Sequence, residues 1–166
     1  MKFDDLRPGS SVFIDANIFV YHFSGASSDC TTLLERCASA QLAGLTTTHI
    51  VLEVAHRLML IEAVIKGIVS PGDVVKKLAA KPEAVAKLTE YSQHVRAISE
   101  MGVIVLPVTF ELWLAGTTYQ QRYGLLTNDS VLVAACLENG CPNLASYDTA
   151  FSRVKEIQLY EPTDIA

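Results

Sequence analysis

The fold is decided by one stretch, Val12-Phe13-Ile14-Asp15-Ala16-Asn17-Ile18-Phe19-Val20-Tyr21, an apolar and aromatic run that contains a single carboxylate. Apolar residues on both sides of Asp15 suit a strand buried on both faces, as in the parallel sheet of an α/β protein. An unpaired carboxylate is costly to bury, so a buried Asp usually has a cation, a metal ion or several hydrogen-bond donors beside it. The other interpretation is that Asp15 only ends the strand and caps a turn.

Strand and helix signals alternate along the rest of the chain. Ser27 supplies N-cap chemistry for a helix that runs out near Gly44, and a short β-rich piece follows at 45–48. A long amphipathic helix then runs from Ile50 to Gly67. Further strands are predicted at 103–107, which we expect to be buried on both faces, and at 143–147 and 157–160. Thr109 and the segment from Thr127 begin the helices between them.

The segment 70–101 has a different pattern. Ser70 as a cap and Pro71 at the first helical position predict one helix, which Lys81-Pro82 breaks, and a second helix is predicted from Glu83 to Met101. These helices contain no cluster of residue types that could form a catalytic or metal site. We interpret the segment as a helical insertion that covers the sheet.

Composition bounds the class of protein. A chain of 166 residues that is 50% hydrophobic has the size of one domain with a sizeable core. No apolar run reaches the roughly 18 uncharged residues of a membrane span, and the acidic N-terminus has no apolar signal core. We therefore expect a soluble cytoplasmic protein without a membrane association. The four cysteines have no zinc-like spacing, which predicts buried free thiols.

Four acids follow or begin predicted elements. Asp15 and Asp148 lie at or near the carboxyl ends of strands, where open α/β sheets bind ligands, and Glu53 and Asp129 lie early in helices that can point to the same edge. Converging carboxylates would repel one another strongly, and a divalent metal resolves that repulsion. Oxygen ligands suit Mg²⁺ or Mn²⁺. Singly, each acid has a simpler explanation: Asp129 as a helix cap, Glu53 as a solvated helix residue, and Asp148 as turn chemistry.

The sequence resembles the PIN domain nucleases and, among them, the VapC-like toxins of toxin–antitoxin pairs. The resemblance rests on the motifs around the four acids, and it extends over about 12–160. The matching motifs are Phe13-Ile14-Asp15-Ala16-Asn17, Thr48-His49-Ile50-Val51-Leu52-Glu53-Val54, Asn128-Asp129-Ser130 and Leu144-Ala145-Ser146-Tyr147-Asp148-Thr149-Ala150-Phe151.

The resemblance implies a three-layer α/β/α fold with a central parallel sheet. The whole chain, 1–166, would be a single PIN-like domain, with a core over about 12–160 and the helical insertion over about 70–101. The four acids would hold one or two Mg²⁺ or Mn²⁺ ions and form the catalytic site. Asn17 would position the first Asp, and the hydroxyl of Ser146 would support the metal ligands without binding the ion itself. A cognate antitoxin and a homodimer are expected from the habits of the family.

The predicted activity is metal-dependent endoribonuclease hydrolysis of RNA phosphodiester bonds. The net charge of −5 opposes binding of a polyanion, but bound divalent cations would offset most of it. Local basic residues must then guide the RNA. Arg57, near Glu53, and Arg153, just after Asp148, are the first candidates.

Two other classes of protein remain open. One is a catalytically inactive PIN-like module that binds RNA or protein, although the presence of all four acids argues against lost activity. The other is a phosphohydrolase of the haloacid dehalogenase type, which also begins with a strand ending in Asp. That type needs a second Asp two residues later, where this chain has Asn17.

Overall fold

Five parallel strands form a sheet in the computed structural model, which describes residues 1–165. The strands are β1 (Ser11–Ile14), β2 (Ala43–Thr47), β3 (Ile104–Leu106), β4 (Asn143–Ala145) and β5 (Gln158–Tyr160), in the order β3-β2-β1-β4-β5. The central strand is β1, in which Phe13 is in register with Leu45 of β2 and Leu144 of β4. Val12, Phe13 and Ile14 are fully buried, as expected for a strand covered on both faces.

Helices flank the sheet and complete the predicted three-layer α/β/α fold. They are α1 (Ala16–Phe23), α2 (Ser28–Ala38), α3 (Thr48–Ile65), α4 (Val74–Ala79), α5 (Pro82–Val85), α6 (Glu90–Glu100), α7 (Phe110–Tyr123) and α8 (Thr127–Glu138). Short 3₁₀ helices lie at Phe3–Asp5 and Thr149–Arg153. Two N-caps are as predicted: Ser27 accepts from the Cys30 amide, and Thr109 accepts from the Leu112 amide.

The second half of the opening stretch is a helix and not a strand. β1 ends at Ile14, and Asp15 is the N-cap of α1, with its side chain accepting from the Ala16 amide. Ala16, Ile18, Phe19 and Val20 are buried. A short apolar run does not distinguish a buried strand from a buried helix by its periodicity, and here the cap decides.

Two further predictions from the sequence are wrong in detail. β3 lies at the edge of the sheet, so Ile104 is 56% exposed instead of buried. The helix predicted from Glu83 to Met101 is divided into α5 and α6, because the Glu62 carboxylate of α3 accepts hydrogen bonds from the Thr89 and Tyr91 amides and α6 begins there.

The start of the preceding helix also differs from the prediction. α4 begins at Val74, and its N-cap is Asp73, which has φ 47°, so Ser70 and Pro71 lie before the helix. A left-handed backbone at the N-cap departs from the extended conformation that a Ser-Pro helix start requires.

Two other expectations concern the whole chain. Cys30, Cys37, Cys136 and Cys141 are buried free thiols, as predicted. Over residues 1–165, no helix is both long enough and apolar enough to span a membrane.

Candidate active site

The order of the strands creates a crevice between β1 and β4. The chain proceeds from β1 to β2 and β3 on one side of the sheet, then crosses to β4 and β5 on the other side. In open α/β sheets, ligands bind at such a reversal, outside the carboxyl ends of the strands. Asp15 follows β1 and Ser146 follows β4, so both residues lie at this crevice.

Asp15 is a buried carboxylate with several donors. It is 8% exposed; Oδ1 accepts from the Ala16 amide at 2.7 Å, and Oδ2 accepts from Asn17 Nδ2 at 2.7 Å and from Ser146 Oγ at 2.6 Å. Burial nevertheless raises the pKa of Asp15 to about 6; the Ser146 and Ala16 hydrogen bonds oppose the rise, and the charges of Glu53 and Asp129 add to it. Asp15 therefore caps a helix, as one interpretation of the sequence proposes, and it is also a buried carboxylate with several donors, as the other proposes.

Asn17 and Ser146 hold this carboxylate and join it to the loop after β4. Asn17 Nδ2 also lies 3.1 Å from Ser146 Oγ, and Asn17 Oδ1 accepts from the Tyr147 amide at 3.1 Å. Ser146 Oγ accepts from the Asp148 amide at 3.0 Å. The two residues predicted to support Asp15 therefore both contact it directly.

The other three acids line one open cleft. Glu53, Asp129 and Asp148 surround it together with Leu126, Thr127 and Asn128. Burial, and then the charges of Asp148 and Glu53, raise the pKa of Asp129 to about 6. Asp148 Oδ1 accepts from the Ala150 amide at 2.8 Å, which caps the 3₁₀ helix and fixes the carboxylate at the rim.

The donor set fits a hard divalent cation in its chemistry. Carboxylate oxygens are the ligands that Mg²⁺ and Mn²⁺ prefer, and repulsion from neighbouring carboxylates adds to the effect of burial in raising the pKa values of Asp15 and Asp129. Among residues 1–165, no three His, Cys, Asp or Glu side chains lie close enough as they stand to hold one ion together. Binding one ion through several of these acids therefore requires their side chains to turn toward it.

The two candidate basic residues lie in different surroundings. Arg57 Nη1 is 3.7 Å from Glu53 Oε1, one turn along α3, so its charge lies beside the cleft. Arg153 is exposed, and its Nη1 donates to the Gly124 carbonyl at 3.3 Å in the loop that precedes α8.

Two residues that were not predicted from the sequence, Tyr147 and His49, also contact the site. Tyr147 donates its amide to Asn17, and its ring packs edge-on against Tyr21 at a centroid distance of 6.0 Å. His49 contacts Asn128, the residue before Asp129. One feature of the sequence indicates that His49 lies near the site: it is four residues before Glu53, and residues at that spacing share one face of a helix.

Comparisons with known proteins agree with this architecture. The family model described as PIN domain matches residues 12–157. No curated protein sequence matches the chain significantly.

Solved structures share the fold at low sequence identity. VapBC2 from Rickettsia felis, bound to a DNA fragment from its promoter, is 13% identical, with a TM-score of 0.58 over 92% of this chain and 98% of that one. VapC20 from Mycobacterium tuberculosis, a toxin that cleaves the sarcin–ricin loop, is 17% identical, with a TM-score of 0.53 over 87% and 95% of the two chains. A toxin–antitoxin complex from Klebsiella pneumoniae is 14% identical, with a TM-score of 0.55 over 89% and 95%. With the family model matching most of its length, the chain belongs to the PIN domain family.

Proposed function

We propose that this protein is a Mg²⁺- or Mn²⁺-dependent endoribonuclease and the toxin of a toxin–antitoxin pair. The observation that carries the proposal is the clustering of acids: Glu53, Asp129 and Asp148 line one cleft, and the charges of Glu53 and Asp129 act on Asp15 at the end of β1. Burial, together with the charges of these neighbours, raises the pKa values of Asp15 and Asp129 to about 6. A protein keeps such repulsion where a bound cation offsets it or where a function requires it.

Each acid has a proposed role. Asp15, Glu53, Asp129 and Asp148 are the metal ligands and the catalytic residues. A bound divalent cation would promote hydrolysis in two ways: it would offset negative charge on the scissile phosphate, and it would lower the pKa of the attacking water. Asp15 is held in one orientation by Ala16, Asn17 and Ser146 before any ion arrives. Asp15 and Asp129 both have a pKa of about 6, but the oxygens of Asp15 already accept from three donors while Asp129 lines the open cleft, so Asp129 is the acid better placed to take a proton from the attacking water.

RNA binding requires local positive charge, because the net charge of the chain is −5. Arg57 is the first proposed contact with RNA, because its guanidinium lies next to the carboxylate of Glu53, which lines the cleft. Arg153 is the second, because its 3₁₀ helix directly follows Asp148. A cation bound by the acids would also release Arg57 from Glu53 toward a phosphate.

The proposed partners are an antitoxin protein and a second copy of the chain. Two of the solved structures with this fold are toxin–antitoxin assemblies, which supports the first. Exposed apolar side chains on α7 support the second, since Phe110 is 67%, Trp113 40% and Leu114 47% exposed. The four free thiols suit a reducing compartment and support a cytoplasmic location. The division into one domain over 1–166, with a core over about 12–160 and an insertion over about 70–101, belongs to the same proposal.

The test is cleavage of end-labelled RNAs, both structured and unstructured, by the purified protein. The assay compares Mg²⁺ or Mn²⁺ with EDTA, and the wild type with Asp15→Asn and with Glu138→Gln, an exposed acid in the last turn of α8 that serves as the matched control. We expect metal-dependent cleavage that Asp15→Asn lacks and Glu138→Gln retains. Cleavage that persists in Asp15→Asn would overturn the proposal. A wild type that neither cuts nor binds Mn²⁺ in calorimetry would instead support the inactive binding module.

A further inference from the structure

His49 connects the helix that carries Glu53 to the helix that carries Asp129. Its Nδ1 is 2.8 Å from Thr47 Oγ1, at the junction of β2 and α3, and its Nε2 is 3.1 Å from the Asn128 carbonyl in the first turn of α8. His49 and Glu53 are four residues apart on one face of α3, and Asn128 directly precedes Asp129. The imidazole therefore spans the two elements whose acids line the cleft.

The hydrogen-bond partners determine which nitrogen carries the proton. A carbonyl oxygen can only accept, so Nε2 carries the hydrogen and donates it to Asn128. In the neutral ring, Nδ1 then accepts from the hydroxyl of Thr47, which is fully buried. Burial lowers the pKa of His49, against the smaller opposing effects of Asn128 and Glu53, which favours this neutral form. Both ring nitrogens are engaged, so His49 does not offer a free lone pair as a metal ligand.

We propose that His49 is a positioning residue that holds Asp129 opposite Glu53 for cation binding. The proposal rests on the proposed function. Asp129 and Glu53 repel each other, so without a connection the first turn of α8 relaxes outward and the two carboxylates separate. The hydrogen bond from His49 opposes this movement at the peptide unit that leads into Asp129.

The packing of α8 itself does not depend on His49. Val131, Leu132 and Val133 are 4%, 0% and 0% exposed, so the helix is anchored by its own apolar side chains just beyond the first turn. Loss of His49 should therefore displace the first turn without unfolding the helix. Metal affinity and turnover are then the sensitive quantities, and the melting temperature is not.

The test uses a pair of amide substitutions in the full chain. In His49→Gln, the amide nitrogen reaches the former position of Nε2 and can still donate to Asn128. In His49→Asn, the shorter amide reaches only the position of Nδ1 and can still contact Thr47. His56→Asn is the matched control, since His56 is an exposed histidine on the same helix. The measurements are Mn²⁺ affinity by calorimetry, kcat and KM for RNA cleavage, thermal unfolding with EDTA, and the ¹⁵N spectrum of the imidazole.

The expected results separate positioning from folding. His49→Asn should bind Mn²⁺ about tenfold more weakly, which is the usual effect of losing a group that orients metal ligands. Its kcat should fall with little change in KM, and its melting temperature should match that of His49→Gln. His49→Gln should recover most of the affinity, His56→Asn should behave as the wild type, and the ¹⁵N spectrum should report a proton on Nε2.

Three results would overturn the inference. His49→Asn could bind Mn²⁺ as tightly as the wild type, the two amide variants could lose affinity equally, or the ¹⁵N spectrum could report a proton on Nδ1. In each of these cases a wild type that binds Mn²⁺ and cuts RNA leaves the proposed function intact. A wild type that neither binds Mn²⁺ nor cuts RNA would overturn both.

Discussion

Ser146 Oγ donates a 2.6 Å hydrogen bond to Asp15 Oδ2, although the two residues are 131 positions apart in the sequence. The same hydroxyl accepts from the Asp148 amide, so it joins two of the proposed metal ligands. A charge-assisted bond of this length is among the stronger hydrogen bonds in proteins. It ties the ends of β1 and β4 together at the crevice.

Ser146→Ala should weaken metal binding and stability together. The substitution removes a donor from Asp15, so the pKa of Asp15 should rise further, and it leaves the Asp148 amide without its acceptor. We expect Mn²⁺ affinity to fall about tenfold and the free energy of unfolding to fall by about 1–2 kcal/mol. Calorimetry and urea unfolding measure the two effects. Ser152→Ala, an exposed serine in the nearby 3₁₀ helix, is the control, and a Ser146→Ala protein with wild-type Mn²⁺ affinity would contradict the expectation.

Asp129→Asn should stabilise the metal-free protein at neutral pH. The pKa of Asp129 is raised from 3.8 to about 6, so the folded state favours the protonated acid, and the wild type loses stability as the pH rises from about 4 through 6. Because Asp129 is partly exposed, solvent screening reduces the effect, and we expect a gain of about 1 kcal/mol for the variant at pH 7.5. The gain should vanish near pH 4. Urea unfolding in EDTA at several pH values measures it, and a gain independent of pH would disprove the electrostatic explanation.

Mn²⁺ should raise the melting temperature more at pH 7.5 than at pH 5. At pH 5 both Asp15 and Asp129 are mostly protonated, since each has a pKa of about 6, and a proton competes with the cation for the same oxygens. At a concentration 100 times its dissociation constant, a ligand stabilises the native state by about 2.7 kcal/mol. Thermal unfolding with Mn²⁺ and with EDTA at both pH values measures the difference. Equal shifts at both pH values would mean that Mn²⁺ binds elsewhere.

Arg57→Ala should weaken RNA binding and flatten its salt dependence. If Arg57 contacts one phosphate, its loss lowers the slope of log affinity against log salt concentration by about 1. Fluorescence anisotropy with a labelled RNA, in an Asp15→Asn background that prevents cleavage, measures the slope. Arg96→Ala, an exposed arginine on α6, is the control. A slope that does not differ between the two variants would assign Arg57 to the ordinary surface charges.

Glu62→Gln should loosen the start of α6. The buried Glu62 carboxylate, paired with Lys66 at 2.6 Å, accepts from the Thr89 and Tyr91 amides, and these bonds lower the pKa of Glu62 to about 2 although burial opposes them. The depressed pKa contributes stability above about pH 4.5 that is lost as the pH falls toward 2. We expect the variant to lose about 2 kcal/mol at pH 7 and hydrogen exchange to accelerate in α6. Glu83→Gln, an exposed acid of α5, is the control, and unchanged exchange in α6 would refute the capping role.

The sequence predicts most of the sheet because β1 and β4 are short buried strands next to strong turn and cap signals. It does not predict the boundary at Asp15, because an apolar run that surrounds one acid is compatible with a strand or with a strand followed by a helix. The start of α6 cannot be predicted from the local sequence either. Its cap is Glu62, a residue from a different helix, and no local pattern near Thr89 records that contact.

The candidate site, too, is predictable from the sequence only in part. The types of Asp15, Glu53, Asp129 and Asp148, together with their places at the ends of elements, are visible in the sequence. The structure brings Glu53, Asp129 and Asp148 to one cleft, and the charges of Glu53 and Asp129 act on Asp15. Their ligand and catalytic roles, like those of Arg57 and Arg153, stay predictions. The contact between His49 and Asn128 depends on how two helices pack, so the sequence offers only the spacing from Glu53.

The pairing of β4 with β1 has a consequence for synthesis. Phe13 pairs with Leu144, so the crevice closes only when the last third of the chain meets a strand made near its beginning. Loop closure over that distance is entropically unfavourable until the strand pairing compensates for it. A nascent chain that has not yet exposed β4 outside the ribosome therefore lacks Ser146 and Asp148 beside Asp15. The proposed nuclease would thus be inert until β4 has emerged and paired with β1.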